Sequence, residues 1–67
     1  MYSVETEQEA DGRWIAEVSD LSGVMVYGAT REGAVRKAQA LSLRVLAERL
    51  DDGEEIPDVA FVFSIVA

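Results

Sequence analysis

The chain has 67 residues, 49% of them hydrophobic, with thirteen acidic side chains against six basic ones and a formal net charge of -7. That length holds one domain with one small core, because a chain this short buries only about 60% of the surface its unfolded form exposes. The absence of cysteine and histidine excludes disulfides, thiol nucleophiles, zinc sites built on those ligands and imidazole acid-base chemistry, and the negative charge disfavours phosphate backbones and anionic membranes while suiting a basic protein partner.

Residues 2–9 set Tyr2, Val4 and Thr6 against Ser3, Glu5, Glu7 and Glu9. This period of two predicts a strand with one wet face that carries three glutamates. Asp11-Gly12 follows and predicts a tight hairpin turn, since that pair tolerates positive φ. The second strand is expected over residues 13–18, with Trp14, Ala16 and Val18 on one face and Ile15 on the other. Residues 19–23, Ser-Asp-Leu-Ser-Gly, are turn formers. A third strand over residues 24–29 alternates Val24 and Val26 with Met25 and Tyr27, so both of its faces are expected to be covered.

Thr30 is placed to cap a helix, and Glu32 suits the positive end of its dipole. The apolar positions Ala34, Val35, Ala38, Leu41, Val45 and Leu46 recur at three and four residues, which defines a core stripe. Gly53 is the expected C-terminal cap of a helix about 30 Å long. Leu43, Ala47 and Leu50 fall off the stripe, either exposed or covered by residues 54–57 folding back. Residues 59–66 are nearly continuously apolar and predict a fourth strand that needs cover on both faces.

The expected architecture is therefore α+β, of order β-β-β-α-β, in a single domain over residues 1–67. A right-handed crossover would lay the last strand beside the first, giving sheet order 3-2-1-4 with one helix on one face. The fourth strand would then be an apolar edge without protective charge or proline. That predicts a homodimer or higher homo-oligomer, with Phe61, Val62, Phe63, Ser64 and Ile65 as the self-association residues. The first residues lack the basic start and apolar stretch of a secretory leader, and no apolar run approaches the roughly 18 residues of a membrane span. A cytoplasmic protein without cofactor is expected.

Charge is segregated along the chain. Residues 1–29 carry six acids and one base, residues 30–50 two acids and five bases, and residues 51–67 five acids. A nuclease would need carboxylates converging on paired divalent ions. The candidates Glu5, Asp11, Glu17 and Asp20 are each explained by a turn or a wet strand face, so no enzyme activity is expected.

Three segments together form a recognisable pattern. Asp11-Gly12-Arg13-Trp14-Ile15-Ala16, the turn Asp20-Leu21-Ser22-Gly23, and the helix opening Gly28-Ala29-Thr30-Arg31-Glu32-Gly33-Ala34 resemble the D-G-x-[WY]-x-A, D-L-P-G and G-x-T-x-E-E-A signature of the HicB-like antitoxin family. Here Ser22 stands in place of the usual proline and Gly33 in place of a usual glutamate, and the likeness runs over the whole chain. The resemblance implies a truncated ribonuclease H-like fold. It also implies an antitoxin that binds and neutralises a small basic RNA-cleaving toxin of the HicA type. Many members of the family add a C-terminal DNA-binding segment; this sequence ends at Ala67, and direct nucleic-acid binding is not expected. Candidate partner-binding residues are the acidic stripe Glu5, Glu7 and Glu9, the apolar pair Met25 and Tyr27, and Trp14 as an anchor. The alternative is an orphan module of the same kind, a homo-oligomeric regulatory or scaffolding subunit without a toxin.

Overall fold

The computed structural model describes residues 1–66 and, of Ala60 and Phe61, the backbone alone. Its first element pair is a hairpin, β1 (Glu5–Gln8) against β2 (Trp14–Glu17). The Gly12 N–H donates to the Glu9 carbonyl at 3.0 Å, the Glu9 N–H to the Arg13 carbonyl at 2.7 Å, and Gly12 takes φ +92°. Such a loop needs a left-handed residue after its turn, which glycine adopts without steric cost. Asp11 completes it, accepting from the Arg13 main-chain N–H at 3.0 Å and from Arg13 Nε at 2.8 Å.

β2 pairs in turn with β3 (Met25–Gly28), also antiparallel, giving a three-stranded sheet of order β1-β2-β3. The turn between β2 and β3 does more than reverse the chain. Val18 and Val24 close it with a 3.0 Å main-chain bond, Leu21 is tied to the Val18 carbonyl, and Leu21 itself is buried. A residue expected only as part of a turn thus plugs one end of the core.

α1 (Arg31–Asp51) begins where Thr30 predicts: Thr30 Oγ1 accepts from the Gly33 N–H at 3.0 Å. It ends in a Schellman arrangement, with Gly53 N–H bonded to the Leu50 carbonyl and Glu54 N–H to the Arg49 carbonyl, and Gly53 at φ +86°. The buried positions Ala34, Ala38, Ser42 and Leu46 follow one another at four-residue steps, with Leu41 and Val45 packed beside them. Small side chains let the helix lie close on the sheet. Ser42 is affordable there because its hydroxyl donates to the Ala38 carbonyl at 2.7 Å. Ala16, Val18, Leu21 and Val24 complete the core from the sheet side.

Beyond α1 the structure departs from expectation. The α+β class holds, with order β-β-β-α, but there is no fourth strand among the described residues. The chain instead makes a short 3₁₀ turn at Pro57–Phe61, and residues 62–66 carry no regular structure. Two physical causes act together. Pro57 fixes φ at the first position of the turn, and local bonds from Val59 N–H to the Ile56 carbonyl and from Val62 N–H to the Val59 carbonyl follow it. The helix, about 30 Å long, also overshoots strands only about 13 Å long, so the chain is released past the end of the sheet. The 3-2-1 part of the expected sheet order stands, the fourth strand does not, and among the described residues there is no strand at 59–66 through which two copies could pair. Val62, Phe63, Ser64 and Ile65 are exposed, while the side chain of Phe61 lies outside the described residues. Among the described residues, no helix is long and apolar enough to cross a membrane.

Candidate functional site

Antiparallel register decides which side chains share a face. Thr6, Ala16 and Val26 form one cross-strand row and Gln8, Trp14 and Gly28 another. Ala16 and Gly28 are buried against α1, so these rows face the helix. The alternate rows, Glu5-Glu17-Met25 and Glu7-Ile15-Tyr27, must then point to the other side. No element of the described chain covers that side.

The outer face is therefore a small platform with an acidic half and an apolar half. Glu5 and Glu7 on β1 and Glu17 on β2 are all exposed. Met25 and Tyr27, on β3, are 53% and 41% exposed, with Ile15 half-buried between the two halves. Both faces of β3 were expected to be covered, because its residues are apolar on both. The helix covers one, and the other stays open. At the hairpin end the Arg13 guanidinium sits 4.6 Å from the centroid of the Tyr27 ring, held there by Asp11. That pairing keeps the Asp11 carboxyl below the ordinary aspartate range, chiefly through the bond from the Arg13 main-chain N–H.

The structure thus brings Glu5, Glu7, Met25 and Tyr27 together, and adds Glu17 and Ile15 to them. Glu9 lies in the hairpin loop at the margin of the platform, half-buried. Trp14 does not join them. It sits on the opposite, helix-facing side, half-buried and packed against the core, as its period-two relation to Ala16 and Val18 requires. The four carboxylates weighed as a nuclease set are dispersed: Glu5 and Glu17 are cross-strand partners, Asp11 is engaged by Arg13, and Asp20 accepts from the Ser3 N–H at 3.3 Å. Among the described residues, no three acidic side chains are grouped as a metal ion would require.

A second uncovered surface lies elsewhere, where the last turns of α1 meet the tail. It is a groove of about 400 Å³ whose apolar lining includes Leu43, Leu46, Ala47, Leu50, Val62 and Phe63. Leu43 is 68% and Phe63 65% exposed. Of the two possibilities for Leu43 and Leu50, exposure is the one realised. Compared with protein-family models, with curated proteins and with solved structures, the chain matches none.

Proposed function

We propose that this chain is an antitoxin of a two-protein system, and that it neutralises a small basic RNA-cleaving toxin through the outer face of its sheet. The observation that carries the reading is the platform: three exposed glutamates beside Ile15, Met25 and Tyr27, on the one sheet face left open. An interface of this kind has an apolar centre that supplies contact area and a charged flank that steers an oppositely charged partner. The signature resemblance of the hairpin, the Asp20-Leu21-Ser22-Gly23 turn and the helix opening supplies the class of partner. A truncated ribonuclease H-like domain is part of the same proposal, its three strands and helix agreeing in order with the first four elements of that fold. The action is inhibition by contact, with the acidic face occupying the basic surface by which such a toxin would engage RNA.

The test is co-expression with an adjacent reading frame that encodes a basic protein. Recovery of a stoichiometric complex that no longer cleaves RNA supports the reading. An adjacent basic protein that shows no complex at low salt removes it. The absence of any such frame leaves the orphan homo-oligomeric module.

A further inference from the structure

We infer that a second copy of this chain occupies the apolar groove, with α1 packed antiparallel on α1 across a two-fold axis near Ala47. The first ground is area. A compact monomer of 7.3 kDa exposes about 4,200 Å², whereas this chain exposes 5162 Å². The excess, roughly 1,000 Å², is of the size that one partner contributes to a standard interface, about 800 Å². Shape agrees with it: the radius of gyration is 14.0 Å and the longest dimension 52 Å, against about 11 Å for the radius of a compact chain of this length.

The second ground is where exposed apolar side chains cluster on the helix. Leu43 and Leu50 are separated by two helical turns and share one stripe, with Ala47 between them. An antiparallel pairing sets Leu43 of one copy against Leu50 of the other, and the small Ala47 lets the two axes approach to about 8 Å. Val62 and Phe63 flank the seam from the tail. Each copy presents the same patch, as a two-fold interface demands.

The third ground separates this occupant from a basic partner. The groove offers one carboxylate, Asp58, which is already 3.0 Å from the main-chain amine of Met1. Glu5, Glu7 and Glu17 lie on the sheet, and Asp51, Asp52, Glu54 and Glu55, though next to Leu50 in sequence, are not part of the groove's lining. The helix, by contrast, carries five bases and three acids, so two copies of an otherwise acidic chain meet on their least negative element. The interface uses a surface separate from the sheet platform, and the two proposals stand or fall separately.

Equilibrium sedimentation of the full chain at about 100 µM, far above a micromolar dissociation constant, is expected to give twice the chain mass. Leu43→Glu alters an exposed side chain and is expected to give the single-chain mass with an unchanged far-UV spectrum. In a chain without cysteine, Ala47→Cys introduces the only thiol and is expected to yield a disulfide-linked dimer on mild oxidation, whereas Gln39→Cys, two turns away, is not. A wild-type monomer at that concentration overturns the inference. So does a dimer that Ala47→Cys fails to link, because its seam lies elsewhere. If Leu43→Glu does not fold, the cysteine pair still decides.

Discussion

Gly28 lies directly beneath Ala34: a Cβ built on Gly28 would fall 2.6 Å from the Ala34 main-chain nitrogen and 2.9 Å from its Cα. The last residue of β3 and the first turn of α1 touch backbone to backbone, and this contact sets how closely the helix rests on the sheet. Because the obstructing atoms are main-chain, a side chain cannot swing away to relieve the clash. Gly28→Ala is expected to lower unfolding stability by about 2 kcal/mol, the usual scale for overpacking a close contact. Urea unfolding measures it as a reduced midpoint at unchanged slope.

The hairpin is expected to carry a pH signature. The carboxyl of Asp11 is held below its ordinary value, first by the Arg13 main-chain N–H and further by the Arg13 guanidinium. A group whose pKa is lowered on folding stabilises the fold above its unfolded pKa, near 4, and that contribution disappears as the pH falls through the folded value. Asp11→Asn should therefore be less stable than wild type at pH 7, with the gap closing below about pH 4. Parallel urea titrations across that range give the comparison.

At the far end of α1, Asp51 and Asp52 place negative charge at the negative end of the helix dipole. The helix dipole makes that unfavourable. Asp52→Asn keeps the shape of the cap while removing one charge, and it is expected to stabilise the fold by about 0.3–1 kcal/mol at low salt. The gain should shrink as ionic strength rises, which a pair of thermal melts at low and high salt would show.

Much of this structure was legible because its determinants are local. Asp11-Gly12 and Gly53 act through φ values that few residues adopt, and Thr30 acts through one hydrogen bond three residues away; each is readable from a handful of positions. Strand faces were legible by the same token. Alternation about Ala16 places Trp14 on the helix side and Glu5 and Glu7 opposite, where they meet Met25 and Tyr27. Residues 59–66 were not legible. Their apolar run has the composition of a strand, but a strand needs a neighbour within reach, and that depends on where a helix longer than the sheet delivers the chain. Pro57, at the start of the 3₁₀ turn, was the local signal against continued extension. Ser42 was missed for another reason: a hydroxyl breaks the apolar stripe in the sequence, while in the helix its bond to Ala38 makes it a small buried residue.

The sheet platform should be separable from folding. Glu5, Glu7 and Glu17 are exposed and make no ion pair among the described residues, so replacing each with lysine is expected to change stability by no more than about 0.5 kcal/mol apiece. Their effect on association with a basic partner should be far larger and concentrated in the on-rate. Stopped-flow association at several salt concentrations would show the rate falling for the variant and losing its salt dependence.

The most direct measurement takes the basic protein that the proposed antitoxin role requires from an adjacent reading frame, and compares its affinity for the wild type, for Glu5→Lys/Glu7→Lys/Glu17→Lys, and for Glu48→Lys on the helix, by calorimetry at low salt. Tight stoichiometric binding to the wild type and to Glu48→Lys, weakened at least about tenfold in the sheet variant, about 1.4 kcal/mol, is the expected result. Equal affinity for all three chains, or no binding to any, would contradict the assignment of the sheet face as the antitoxin surface.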